Sequence, residues 1–332
     1  MAKVVRFHAF GGPEVLQLDD VEIGSPGPGE VRIRVGAIGL NRVEAMFRSG
    51  HFAPTTFPSR IGYEAAGVIE ALGPGVAGFA LGERVAALFG LSMERYGTYG
   101  ETILYPADHL VRVPNKQPLA EAAASWMQYG TAYALVETAA IGARDHVVIT
   151  AASSSVGLAA IQIANDLGAV PIAVTRGRTK AEALKFKGAA HVVVSDEEDV
   201  PARIREITQG CGARVFFDSV AGPTLPALVG AVSTGGIIIV YGMLAGHASE
   251  VSLPALMQNN ITLRGFAANV LVEQAASRKR MVDYIGRKLA DGVLRPVIDR
   301  TFELTQIAAA HRYLESNLQL GKIVVTTATA GE

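Results

Sequence analysis

The segment His146-Val-Val-Ile-Thr-Ala-Ala-Ser-Ser-Ser-Val-Gly157, continuing Leu-Ala-Ala-Ile-Gln-Ile-Ala164, decides the fold. A short apolar run enters a tight turn of small residues and leaves it as an apolar helix. A strand, turn and helix in that order place a helix N-terminus where a dinucleotide pyrophosphate sits, because the free N–H groups and the helix dipole favour an anion. The usual fingerprint is G-x-G-x-x-G. Its three glycine slots here hold Ala152, Ser154 and Gly157. The small side chains still permit close backbone approach, and the hydroxyls of Ser153, Ser154 and Ser155 add donors and a helix cap. The alternative is a plain serine-capped helix, and the strand–turn–helix context favours the nucleotide reading.

The next strand candidate ends Val174-Thr-Arg-Gly-Arg-Thr-Lys180. An NAD site places an acidic residue there for the adenosine ribose. No acid is present. Arg176, Arg178 and Lys180 cluster instead, and a 2′-phosphate calls for such charged donors. The cofactor expected is therefore NADPH.

Beyond this point strand candidates alternate with helix candidates: His191–Val194, Arg214–Phe217, Ile237–Tyr241 and Ile261–Leu263, with helices over Lys180–Lys187, Pro201–Thr208 and Thr224–Val232. That alternation predicts a doubly wound parallel sheet. Upstream of about residue 122, short alternating strands punctuated by glycine and proline predict a barrel-like β domain. A helix, a strand, a second helix and a last strand, Lys322–Thr326, follow the parallel-sheet region.

The 332 residues are 49% hydrophobic and carry 30 Lys+Arg against 31 Asp+Glu, net −1. That supports a large core and gives no field toward nucleic acid or an anionic membrane. One cysteine, Cys211, removes a disulfide framework and a Cys-rich zinc site and suits a reducing cytoplasm. The longest apolar window, 119–143, is interrupted by Glu121, Gln128 and Glu137 and predicts buried helix, not a membrane span. None of the seven histidines, His247 among them, stands at ligand spacing from another.

Across nearly its whole length the chain resembles the quinone oxidoreductase (zeta-crystallin-like) branch of the medium-chain dehydrogenase/reductase superfamily. The resemblance rests on Gly39-Leu-Asn41, Arg48-Ser-Gly50, Gly62-Tyr-Glu64-Ala-Ala-Gly67, Gly82-Glu-Arg-Val, Gly100-Glu, Gly130-Thr-Ala132, the serine turn, Gly188-Ala189, Phe217-Asp-Ser219-Val and Gly321-Lys322-Ile, in that order. It implies a Rossmann domain over 122–266 and a GroES-like β-barrel catalytic domain over 1–121 and 267–332. It also implies cofactor contacts from Asn41, Thr131, Ser153, Ser154, Ser155, Val156, Thr175, Arg176, Arg178, Lys180 and Ser219. Tyr241, Gly242, Met243, Phe266, Ala267, Ala268 and Lys322 are implied as further contacts, toward the nicotinamide half or beside it. Ser195 stands where a tyrosine often stacks on the adenine.

Zinc-dependent relatives carry a cysteine where Asn41 stands and a histidine where Tyr63 stands, so the resemblance implies no metal. Without a Lewis acid, an acceptor that delocalises charge after hydride attack is favoured over a simple ketone. The expectation is NADPH-dependent reduction of quinones or related α,β-unsaturated carbonyls. Tyr63 and Asn41 are the candidate catalytic residues, and Phe52, Glu64 and Tyr129 line the acceptor pocket. An enone, enal or enoyl-thioester reductase is the alternative enzyme. Phe52 occupies the place of that branch's acid tyrosine. A non-catalytic, crystallin-like NADPH-binding protein is the alternative of a different class. The partners expected are a small-molecule acceptor and a second copy of the chain in a homodimer, with no nucleic acid and no membrane.

Overall fold

The computed structural model describes residues 1–246 and 248–328, so His247 lies outside the described residues. The chain divides into two compact units: residues 1–127, 269–282 and 296 onward form one, and 128–268 with 283–295 form the other.

The second unit is built on a six-stranded sheet. Its order is His191–Val194, Val170–Thr175, His146–Ile149, Ala213–Asp218, Val232–Val240, Thr262–Gly265. Every neighbouring pair is parallel. Counted from His146, this is the 3-2-1-4-5-6 order of the doubly wound fold. Val148 lies in register with Ile172 on one side and Phe216 on the other, and all three are fully buried. A strand covered on both faces reads as a continuous apolar run, which is why His146–Ile149 shows no alternation. The strand order reverses between His146–Ile149 and Ala213–Asp218, so their carboxyl ends flank the crevice where such folds take ligands.

Two details depart from the sequence expectation. The helix expected over Thr224–Val232 is Leu225–Val229, and the following strand starts early, at Val232. Gly235, in the left-handed region at φ 72°, and a register shift against Ala213–Asp218 let this polar stretch pair before the apolar run begins. A helix at Leu253–Gln258 was not foreseen.

In the first unit, Glu30–Gly39 is the central strand of a seven-stranded sheet. It pairs antiparallel with Ala65–Leu72 and Thr102–Pro106 and, toward its end, with Lys322–Thr326. That last pairing sets Val324 beside Gly39 and brings the end of the described chain to the start of the unit. Val31, Ile33, Val35, Val85, Ile103 and Tyr105 form the apolar centre. The sequence placed all of 267–332 here. Residues 283–295 pack with the second unit instead, because the Tyr284 hydroxyl and Lys288 both bond Asp166, and Arg295 N–H bonds Gln162. Among the described residues no helix is long and apolar enough to cross a membrane.

Candidate functional site

Each unit carries a cluster of buried polar side chains.

In the second unit, helix Ser155–Asp166 begins at the serine turn, with Ser154 as its N-cap. The Ser154 hydroxyl accepts the Gly157 N–H at 3.0 Å, which leaves the hydroxyl hydrogen itself to donate. A side chain at Gly157 would set its Cβ 2.6 Å from Ala152 Cα, so the third fingerprint slot needs glycine although the first two do not. Ala151, with φ 44°, holds the left-handed conformation just ahead of it.

Beside this turn, the Asp218 carboxylate accepts the Thr150 hydroxyl at 2.5 Å and the N–H groups of Val220 and Ala221 at 3.0 Å each. It thereby pins the end of its strand. Tyr241 N–H bonds Asp218 O, and Leu244 N–H bonds Ser219 O, so segments 218–220 and 241–245 run together. Gly242 fits because a Cβ there would lie 3.0 Å from Ser219 O. The Tyr241 ring stacks on Phe217 at 4.0 Å between centroids. Burial pushes the Tyr241 hydroxyl pKa above the usual tyrosine range. The Tyr241 hydroxyl and Ser219 Oγ are both buried, lie beside one another and near Ser154, and neither makes a hydrogen bond of good geometry among the described residues. Buried polar atoms are rarely left so, and each costs about 1–3 kcal/mol unless a ligand or water satisfies it. Two such hydroxyls at a switch point, next to a capped helix N-terminus, fit a dinucleotide.

The basic cluster is not uniform. Lys180 Nζ donates to Ser153 Oγ at 3.2 Å, which ties it to the serine turn. Arg176 is exposed. Arg178 is held by Glu197, with Nε 2.9 Å from Oε2 and a second contact from Nη2. Arg178 is thus held in an exposed ion pair with Glu197, while Arg176 is exposed and Lys180 contacts the serine turn. Thr175 is buried where its strand ends, Ser155 and Val156 form the first helical turn, and Thr131 is buried in helix Trp126–Ala132. Phe266, Ala267 and Ala268 follow the last strand, and Met243 is exposed. Tyr129 does not line a pocket. It is fully buried, and its hydroxyl donates to the Gln162 side chain at 2.9 Å.

In the first unit, Asn41 precedes helix Arg42–Arg48 and sits in a buried polar network. Glu44, wholly buried, accepts four donors: the Asn41 backbone N–H (2.6 Å), the Asn41 Nδ2 (3.2 Å), the Tyr63 N–H (2.9 Å) and the Tyr99 hydroxyl. Burial raises its pKa, and these donors oppose the rise. Tyr99 gives its hydrogen to Glu44, so His311 Nε2, 3.2 Å away, must donate to the Tyr99 oxygen. Arg48 Nη1 can only donate, so His311 Nδ1 accepts at 2.9 Å. His311 is thus neutral with its proton on Nε2, and burial and Arg48 push its pKa down to about 3. On the other side of Asn41, Lys322 Nζ donates to Asn41 Oδ1 at 2.7 Å and to Glu64 Oε2 at 2.6 Å, with both side chains of the ion pair fully buried. Glu64 Oε1 accepts the Met127 N–H at 2.9 Å.

Two further expectations are corrected by this geometry. Glu64 is enclosed and paired, so it does not line the acceptor pocket. Lys322 is enclosed and paired too, its ammonium held between Glu64 and Asn41 and not open to a ligand. Breaking such a buried pair from one side costs about 3–5 kcal/mol. Sequence reading passed over Glu44, Tyr99, His311 and Arg48. The one local signal was Asn41-x-x-Glu44, the reach-back half of a capping box.

Tyr63 is half-buried against the Phe52 ring, edge to face at 6.5 Å, and Phe52 is itself 47% exposed. Burial, with Glu44 nearby, pushes the Tyr63 hydroxyl up to about 12. A zinc ion does not fit these residues. Asn41 and Tyr63 are poor zinc ligands, Glu64 is spent on Lys322, and no three His, Cys, Asp or Glu side chains gather among the described residues.

Residues 27–115 match the alcohol dehydrogenase GroES-like domain, and residues 155–285 match the zinc-binding dehydrogenase family. A 2-haloacrylate reductase from a Burkholderia species is 34% identical, covering 98% of each chain. A quinone oxidoreductase from Pseudomonas aeruginosa is 32% identical over 98% of this chain and 99% of its own. The crystal structure of Escherichia coli quinone oxidoreductase complexed with NADPH superposes with a TM-score of 0.91 at 28% identity, covering 98% of this chain and 99% of that one.

Proposed function

This chain belongs to the quinone oxidoreductase branch of the medium-chain dehydrogenase/reductase superfamily, and on that premise we propose that it passes hydride from NADPH to quinones in a site without zinc. It is an NADPH-dependent oxidoreductase of quinones or unsaturated compounds, with a GroES-like and a Rossmann domain. The observation that carries the reading is the pair of buried hydroxyls of Ser219 and Tyr241, without a well-formed hydrogen bond among the described residues, beside the Ser154-capped helix.

Bound NADPH supplies the hydride. The protein supplies place and polarity. The turn at Ser153–Val156 holds the pyrophosphate, Arg176 and Lys180 hold the 2′-phosphate, and Ser219, Tyr241 and Gly242 receive the nicotinamide half. Phe52 and Tyr63 form an aromatic wall for a flat acceptor. Tyr63 keeps its proton at working pH and offers it as a hydrogen bond to the acceptor oxygen that gains charge. The 2-haloacrylate reductase relative supports a second reading, an α,β-unsaturated acid or carbonyl as acceptor.

An acceptor panel with NADPH tests both. Oxidation with 1,4-quinones and not with acrylates or enones supports the first, and the reverse supports the second. NADPH binding without turnover on any acceptor would sink both. Elemental analysis of the same preparation should find well under one zinc per chain, and zinc that a chelator removes together with activity would refute a zinc-free site.

Strand Thr262–Gly265 is one edge of the sheet, exposed at all four residues including Leu263, and Met257 is exposed in the helix before it. Unprotected edges invite pairing, so a homodimer joined edge to edge is the expected assembly. Light scattering at micromolar concentration should give twice the chain mass, and a stable monomer refutes it. The single exposed cysteine suits a cytoplasmic setting.

A further inference from the structure

The amide of Asn41 is gripped from both ends by opposite charges. Its Nδ2 carries two hydrogens. One goes to Glu44 Oε1 and the other to Gly39 O, each at 3.2 Å. Its Oδ1 accepts from the Lys322 ammonium at 2.7 Å. Turning the amide over would face Nδ2 toward an ammonium that can only donate, and Oδ1 toward two acceptors. The grip is itself held. Glu44 has donors on every lone-pair position, and Lys322 is anchored by Glu64. Gly39 completes the enclosure, since a Cβ there would lie 2.8 Å from Lys322 Cε and 2.1 Å from Ala123 O.

We infer that Glu44 and Lys322 are positioning residues that fix the orientation of the Asn41 amide, so that Asn41 meets the bound dinucleotide only as a hydrogen-bond acceptor. Both amide hydrogens are spent inside the protein, and the capacity left is on Oδ1. Asn41 therefore takes an N–H or O–H donor and has nothing to give to an acceptor carbonyl. That leaves Tyr63 as the hydroxyl donor of this unit's cluster toward the substrate. The inference rests on the reading that Asn41 faces the cofactor.

Asn41→Asp tests it, read by equilibrium NADPH binding through the fluorescence of the reduced nicotinamide, with no acceptor present. The introduced carboxyl keeps Oδ1 toward Lys322 and sets its other oxygen against Glu44. Glu44 on its own helix, Lys322 from the last strand, Glu64 and Tyr63 ahead of Ala65–Leu72, and Tyr99, His311 and Arg48 behind Glu44 are the titratable groups around it. Two carboxylates at that separation do not both ionise, so at low pH one proton is shared between the introduced carboxyl and Glu44. That proton restores a donor toward Glu44 and leaves the Oδ1 face intact. The dissociation constant, relative to wild type, should be within about threefold at about pH 5.5 and at least about tenfold weaker by about pH 8.5. Asn41→Leu, with neither donor nor acceptor, should be at least about tenfold weaker across that range, without the slope.

A pH-independent ratio for Asn41→Asp alongside weak Asn41→Leu overturns the fixed amide. Wild-type affinity in Asn41→Leu overturns instead the reading that Asn41 faces the cofactor. Melting curves of the cofactor-free variants report folding. If Asn41→Asp unfolds above neutral pH, it must still bind at least about threefold tighter than Asn41→Leu at about pH 5.5, or the inference fails.

Discussion

Tyr63→Phe should lower kcat for quinone reduction at least tenfold while leaving NADPH binding unchanged. The substitution keeps the ring that packs edge to face on Phe52 and removes only the hydroxyl. One hydrogen-bond donor aimed at developing negative charge in a dry site is worth about 2.7–4 kcal/mol, or about 10²–10³ in rate. Tyr63 is half-buried, so water dilutes part of that, and tenfold is the floor. Asn41 offers no competing donor, because both of its amide hydrogens go to Glu44 and Gly39. With its pKa pushed up to about 12, Tyr63 remains protonated across neutral and mildly alkaline pH. Its loss should therefore lower kcat evenly over that range without adding or removing a pH limb. A near-wild-type kcat with a shifted KM for the quinone would make Tyr63 a pocket wall and no more.

The double variant Arg176→Ala, Lys180→Ala should weaken NADPH on the order of 100-fold and NADH by no more than about threefold. The scale follows from two charge-assisted hydrogen bonds at about 1.5–3 kcal/mol each, reduced by the exposure of Arg176. Arg178→Ala should cost NADPH much less, because Glu197 already occupies that guanidinium. Isothermal titration with both cofactors decides the matter. Equal weakening of NADPH and NADH by the double variant would mean that the cluster shapes the loop and does not read the phosphate. A loss in Arg178→Ala as large as in the double variant would mean that the phosphate displaces Glu197.

The local sequence determined the six parallel strands, the serine turn and the absence of a ribose-binding acid, because each is written within one strand–turn–helix stretch. Burial on both faces leaves an apolar run, a cap needs its serine at one position, and a missing acid is missing wherever the chain goes. The roles of Glu64, Tyr129 and Lys322 were not legible in that way. Each was expected to face a ligand, and each is enclosed, because a charge or hydroxyl at such a position can point inward as well as outward. Lys322 meets Asn41 across 281 positions of sequence and Glu64 across 258. His311 meets Tyr99 across 212. No local periodicity encodes such pairs. They arise when strand Lys322–Thr326 docks on Glu30–Gly39 and buries these polar groups together, where each must find a partner or lose the free energy of its hydration. That docking sets Lys322 against Asn41 Oδ1, whereas the two amide hydrogens go to Gly39 and Glu44, only two and three positions away.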